Sequence, residues 1–207
     1  MNDGFCLLRH GALASTMRQR MIGSLDLPMS DAGRAQIRRL AVEWLPTVRQ
    51  NLAAIVTSDL QRCLDTANLL LQACPVPIPL HREPDLREIS LGAWEGLSRT
   101  EIAHRWPGAY ILRGLDMAAF VPPDGESFRM LQRRALLALA HWRRRYPLGL
   151  VLVITHAGVI RTLLSHWMAL PLGDALRIPL DYACHCCLPG QGWPLNLLPM
   201  EVCAHDT

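Results

Sequence analysis

Two histidines and two arginines stand where apolar runs of the chain give way to polar residues. Phe5-Cys6-Leu7-Leu8 leads into Arg9-His10-Gly11. Leu52-Ala53-Ala54-Ile55-Val56 leads into Thr57-Ser58-Asp59-Leu60-Gln61-Arg62, and Leu150-Val151-Leu152-Val153-Ile154 into Thr155-His156-Ala157-Gly158. Two fixed guanidinium forks can hold the oxygens of a phosphoryl group and neutralise its charge. A neutral imidazole can attack phosphorus in line, provided one ring nitrogen is free and the other is hydrogen-bonded. A second histidine can donate to an equatorial oxygen as charge spreads in a loose transition state. The leaving oxygen then needs a proton, which a carboxylic acid on a loop can supply. Glu88 and Glu95 are the nearest candidates in context.

These groups meet only if the elements beneath them bring three ends to one edge. Each apolar run has the length of a buried strand. Helical patterns lie between the runs, so the chain reads as βαβ units: an α/β fold with a mostly parallel central sheet and helices on both faces. In such sheets ligands bind outside the carboxyl ends of the strands. Gly11 lets the backbone turn sharply and approach a ligand.

The helices carry readable start signals. Ser30 reads as the N-cap of a helix with Ile37, Leu40, Ala41, Trp44 and Leu45 inward, which Pro46 should close. Ser58 and Gln61 have capping-box spacing, as do Ser98 and Glu101. Ser127 reads as the cap of a long helix with Phe128, Leu131, Ala135, Leu139 and Trp142 inward, ending in a solvated Arg143-Arg144-Arg145 face. A further helix is expected from Val159 to about Ala169. Residues 108–125 show no period and are expected to be irregular, part of a lid-like insert at about 92–127. The tail, 178–200, is expected to form one or two edge strands. Its Cys184-His185-Cys186-Cys187 run alternates along a strand rather than grouping into a metal site.

Composition narrows the chemistry. All 21 basic residues among the 207 are arginine, so Schiff-base chemistry and a Walker lysine are excluded. A net charge of +3 indicates neither a nucleic-acid nor a membrane partner. No signal-peptide pattern is read at the N-terminus, and the longest apolar run is too short to cross a bilayer. Seven cysteines without a disulfide framework favour a reducing cytoplasm. One domain over 1–207 is expected; the oligomeric state is not legible.

With these pieces in order, the sequence resembles the histidine phosphatase superfamily, in its phosphoglycerate-mutase-like branch. The matching stretches are Leu8-Arg9-His10-Gly11, Asp26-Leu27-Pro28-Met29-Ser30-Asp31-Ala32-Gly33, and Ser58-Asp59-Leu60-Gln61-Arg62-Cys63. They continue with Leu86-Arg87-Glu88, Gly92-Ala93-Trp94-Glu95-Gly96, Asp124-Gly125-Glu126-Ser127, and Thr155-His156-Ala157-Gly158-Val159-Ile160-Arg161. The resemblance implies that His10 is the phosphorylated nucleophile, that Arg9, Arg62 and His156 form the phosphate site, and that Glu88 is the acid and then the base. Gly11, Thr16 and Ala157 would add substrate contacts, and Glu95 would be structural. Two positions depart from the family pattern: Ala12 stands where an acidic residue is frequent, and Thr16 where an asparagine often touches the phosphate.

The expected activity is hydrolysis of a small phosphorylated metabolite with no cofactor or metal. Two stretches look most like those of alpha-ribazole phosphatases and their broad-specificity relatives. The alternatives are a cofactor-dependent phosphoglycerate mutase, disfavoured by the few basic residues between 92 and 127, and a silent phosphate-binding module, disfavoured because every catalytic residue is present.

Overall fold

A computed structural model of the chain describes residues 3–17 and 19–189. Its centre is a five-stranded sheet of β1 (Gly4–Arg9), β2 (Leu52–Thr57), β3 (Leu80–Arg82), β4 (Leu150–Thr155) and β5 (His185–Pro189), in the order β3-β2-β4-β1-β5. The first four strands are parallel, and β5 lies antiparallel against β1 at the edge. β1, β2 and β4 are apolar on both sides because both faces are covered, whereas the short edge strand β3, Leu80-His81-Arg82, is only partly buried. One face packs on α6 (Phe128–Arg145) and α7 (Ala157–Trp167); the other packs on α1 (Asp31–Glu43) and α3 (Gln61–Gln72). The expected α/β class and sheet are thus observed. No helix among the described residues is long and apolar enough to cross a membrane.

Strand order places the chemistry. The first crossover passes over one position, and β4 later fills it, so β2, β4 and β1 become neighbours. Adjacent strands lie about 4.8 Å apart. Three chain segments distant in sequence therefore end side by side.

Ser30, Ser98 and Ser127 cap α1, α4 (Arg99–Arg105) and α6 as expected, the second with a complete capping box. Other expectations are corrected. Pro46 does not end the chain's helical course; it sits in the first turn of a second short helix, α2 (Leu45–Val48), where its missing N–H costs nothing. Ser58 does not cap α3. Its hydroxyl is engaged elsewhere, and Asp26 Oδ1 instead accepts the Gln61 N–H at 2.6 Å. The stretch expected to be irregular contains a helix, α5 (Ala109–Leu115), whose residues Ile111, Leu112 and Leu115 are exposed and so leave no inward period to read. Arg143 is not solvated like its two neighbours; it bonds the carbonyls of Gly4, Pro147 and Gly149.

The cysteine-rich tail alternates as expected. Cys184 and Cys186 are buried on one face, while Cys187 lies directly opposite Cys6 on β1. Among the described residues no group of three or more His, Cys, Asp or Glu is placed to hold a metal ion. Residues 190–200 of the expected edge strands lie outside the described residues.

Candidate active site

β1 delivers Arg9 and His10, Ser58 follows β2, and His156 follows β4 as the N-cap of α7. The ladder runs one step past the strands. His10 N–H donates to the Thr155 carbonyl at 3.1 Å, and Ser58 N–H to the Ile154 carbonyl at 2.9 Å. The two imidazoles meet edge to face with centroids 5.1 Å apart.

His10 is 4 % exposed, and its Nδ1 lies 2.8 Å from the carbonyl oxygen of Gly11. A carbonyl can only accept, so Nδ1 carries the proton and Nε2 keeps its lone pair. Burial pushes the His10 pKa well below 6.5; Arg62 and Arg9 push the same way, against the Gly11 carbonyl. The imidazole is therefore neutral at pH 7, as a nucleophile must be. Gly11 serves this histidine. Its carbonyl fixes the tautomer and its N–H is given to Thr66 Oγ1 at 3.3 Å. A Cβ at Gly11 would come within 2.6 Å of the Gly33 carbonyl, so only glycine lets this turn press against α1.

Arg62 is 1 % exposed, off the apolar stripe of α3 yet buried. Its Nε donates to His156 Nδ1 at 3.2 Å, Nη1 to the Leu25 carbonyl at 2.6 Å and Nη2 to the Gly23 carbonyl at 3.1 Å. Glu95 holds the loop that provides those carbonyls. Its Oε1 accepts from Ser24 N–H and Oγ–H, each at 2.7 Å, and from Leu91 N–H at 3.1 Å. Gly23 has φ +54°, and a Cβ there would lie 2.5 Å from Glu95 Oε1. Three bonds to its Oε1 thus engage Glu95 in positioning the loop, which fits its expected structural part.

His156 has no solvent exposure. Arg62 always donates, so His156 Nδ1 accepts and Nε2 holds the proton, which goes to Ser58 Oγ at 2.9 Å. Both nitrogens thus have protein partners, and a bond to a phosphoryl oxygen requires the Nε2–H to leave Ser58. Burial lowers the pKa of His156 well below 6.5, with Arg62 and His10 adding to it.

Two buried neutral imidazoles make the fold sensitive to acid. Unfolded, each binds a proton near pH 6.5; folded, only at lower pH. Below 6.5 the unfolded state binds more protons, so stability falls as pH drops through that window. Asp59, whose pKa its hydrogen bond from Arg87 holds below 3.8, acts only in a lower window. The thermal midpoint is expected to fall between pH 7 and pH 5, and less steeply in His10→Gln. Parallel profiles for the two proteins would show that His10 does not titrate this way.

Glu88 is held at the start of α7. Its Oε2 accepts the Gly158 N–H at 3.1 Å and its Oε1 the Ile89 N–H at 3.0 Å. Arg134 fixes the segment from behind, bonding the Glu88 carbonyl at 3.2 Å while paired with Glu126 at 2.6 Å. Glu126 is therefore committed to Arg134 and to Ser90 N–H. A Cβ at Gly158 would lie 2.3 Å from Glu88 Oε1. Gly158→Ala is accordingly expected to displace the carboxylate and slow turnover of an alkyl phosphate by roughly 10- to 100-fold, the scale of an ångström misplacement. Unchanged kinetics in that variant would show that Glu88 need not sit where the helix holds it.

The other expected contacts divide. Ala157 is the first residue of α7, buried beside His156. Thr16 lies exposed on a 3-10 turn, Ser15–Met17, outside the buried cluster of His10, Arg62 and His156. Arg9 is half-buried, with Nη1 bonded to the Leu180 carbonyl at 2.6 Å and its guanidinium over the Tyr182 ring. Sequence reasoning missed Tyr182, Ser58, Thr66 and Gly158. Ser58 and Gly158 left signals, the one as the first residue of a family-like stretch and the other as a glycine within a helix's first turn.

The chain matches the family model "Histidine phosphatase superfamily (branch 1)" over residues 5–197. The glucosyl-3-phosphoglycerate phosphatase of Mycolicibacterium vanbaalenii is 34% identical over 176 residues, 81% of this chain and 75% of that protein. The solved structure of Bacillus stearothermophilus YhfR superposes with a TM-score of 0.76 at 33% identity, covering 88% of this chain and 89% of its own. The adenosylcobalamin/alpha-ribazole phosphatase of Salmonella typhimurium is 24% identical over 180 residues, 86% of each. This chain spans about half of some longer relatives, 47% in the case of the Mycobacterium tuberculosis "Bifunctional protein Rv2228c". The chain belongs to the histidine phosphatase superfamily. It is an enzyme of the phosphatase class.

Proposed function

We propose that the protein hydrolyses a small phosphomonoester through a phosphohistidine formed on His10, within one domain whose 92–127 insert covers the site. The observation that carries this is the His10 tautomer, set by the Gly11 carbonyl, in a buried imidazole beside Arg9, Arg62 and His156. His10 Nε2 attacks phosphorus, and the P–O bond to the leaving group breaks. The Glu88 carboxyl gives its proton to that oxygen. Water then attacks the phosphohistidine, losing a proton to the Glu88 carboxylate; the P–N bond breaks, its electron pair returns to Nε2, and phosphate departs. Arg9 and Arg62 supply the positive charge throughout, so no step calls on a metal or cofactor.

Glu88 also lines an open cavity of about 430 Å³ with Ser24, Ser90, Asp124 and Arg134; His10, Arg9, Arg62 and His156 are not among its lining residues. Within small phosphates, alpha-ribazole phosphate is the reading favoured by the Gly92-Ala93-Trp94-Glu95-Gly96 and Thr155 to Arg161 stretches. Glucosyl-3-phosphoglycerate is favoured by similarity to the phosphatase of that name. Cytoplasmic placement is the reading favoured by seven cysteines without disulfide-framework spacing in the sequence. The experiment is release of inorganic phosphate from p-nitrophenyl phosphate and from a panel of phosphorylated metabolites that includes both compounds and the phosphoglycerates. Hydrolysis is expected. Interconversion of phosphoglycerates without phosphate release would make the protein a mutase, and binding without turnover a silent module.

A further inference from the structure

We infer that Tyr182 is a positioning residue for Arg9: its ring holds the guanidinium so that the Nε edge faces the phosphoryl group carried by His10. The inference rests on the phosphatase reading above. It begins with the unequal treatment of two nitrogens of Arg9, Nη1 and Nε. Nη1 is tied to the Leu180 carbonyl at 2.6 Å. Nε is buried and has no hydrogen-bond partner among the described residues. A buried N–H of a cation without an acceptor is costly, and a bound anion removes that cost. The free edge of the fork is thus the edge that a phosphoryl group takes.

Something must keep that edge aimed when no anion is present. The Arg9 guanidinium carbon lies 3.7 Å from the centre of the Tyr182 ring, close enough for a strong cation–π contact. The same ring lies 5.6 Å, centre to centre, from the His10 imidazole. Tyr182 therefore touches both the cation and the nucleophile's neighbourhood, and fixes their mutual orientation through packing.

The backbone presents the ring in a built turn. Arg9 N–H donates to the Cys184 carbonyl at 3.0 Å, and Ala183 N–H returns to the His10 carbonyl at 3.2 Å. Between them Ala183 has φ 58°, a left-handed conformation that alanine disfavours and that the surrounding bonds must enforce. The turn closes directly onto the start of β5.

The ring face carries this role, and the hydroxyl does not. Tyr182→Phe is therefore expected to behave like the parent protein. Tyr182→Leu is expected to raise the inhibition constant of inorganic phosphate by roughly 3- to 30-fold, the range of a partly desolvated cation–π contact. The kcat/KM for p-nitrophenyl phosphate should fall by a similar factor. General destabilisation lowers the active fraction and leaves the phosphate inhibition constant unmoved, so that constant is the readout. In an Arg9→Met background Tyr182→Leu should cause no further weakening beyond about twofold, since the residue acts through Arg9.

Parent-like phosphate inhibition in Tyr182→Leu, or full weakening in the Arg9→Met background, overturns the inference. So does a tenfold loss in Tyr182→Phe, which also keeps the test decisive if the leucine variant does not fold. A parent protein that neither turns over p-nitrophenyl phosphate nor binds phosphate would sink the phosphatase reading itself. An active parent with an unaffected leucine variant would sink only the part assigned to Tyr182.

Discussion

His10→Ala is expected to reduce turnover of every phosphomonoester by roughly 10⁴-fold or more, the scale on which covalent enzymes lose a nucleophile. The reason is geometric. No other described side chain combines a free ring nitrogen with the flanking cations: both nitrogens of His156 are already bonded, to Arg62 and to Ser58. The variant keeps Arg9 and Arg62, so it should still bind inorganic phosphate. Calorimetric titration with phosphate then separates a lost nucleophile from a lost fold. A His10→Ala protein that binds phosphate and retains a tenth of the parent kcat would place the nucleophile elsewhere.

Glu88→Gln is expected to have the second largest effect, and one that depends on the leaving group. Glutamine keeps the shape of the side chain but transfers no proton. An alkoxide is a poor leaving group and needs that proton; p-nitrophenolate is stable without it. Phosphorylation of the enzyme by a sugar phosphate should slow by roughly 10²–10⁴-fold, the usual range for general acid catalysis. Phosphorylation by p-nitrophenyl phosphate should slow far less. Hydrolysis of the phosphoenzyme should slow equally after either substrate, because the intermediate is the same. Steady-state rates can be limited by that shared step, so single-turnover formation must be followed with each substrate. Equal slowing of formation would remove Glu88 as the acid. Glu95 and Glu126 would not replace it without rearrangement, because three hydrogen bonds occupy the first and Arg134 and Ser90 the second.

The features legible in the sequence are those set by local chemistry. Leu7, Ile55 and Leu152 sit in runs buried on both faces, and such runs announce parallel strands. Arg9-His10 and His156 follow those runs directly, so finding the strands located the groups. Ser98 and Glu101 form a capping box from residues three apart, and spacing suffices to see it. The unread features depend on partners far along the chain. Ser58 has the residue type and spacing of a cap, but its hydroxyl is taken by His156, 98 residues away. Tyr182 reaches Arg9 only because β5 returns antiparallel beside β1. Gly158 is required by the Glu88 carboxylate, 70 residues earlier. Arg62 shows the intermediate case: its type marked it for chemistry, while its burial depends on carbonyls of Gly23 and Leu25 that Glu95 holds in place. Thr16 rests on register against a family pattern alone, and the structure sets it exposed on a short 3-10 turn.

The central claim is a covalent phosphoryl group on His10 Nε2, and rapid quenching tests it most directly. The enzyme is mixed with ³²P-labelled substrate and quenched within one turnover, in acid and in base. A phosphorus–nitrogen bond to imidazole is lost in acid and survives base, so label should remain on the protein only after the base quench. Mapping should place it on His10, and His10→Ala should carry none. Label that survives acid, or that persists on His10→Ala, would mean that the phosphoryl group passes through a different residue.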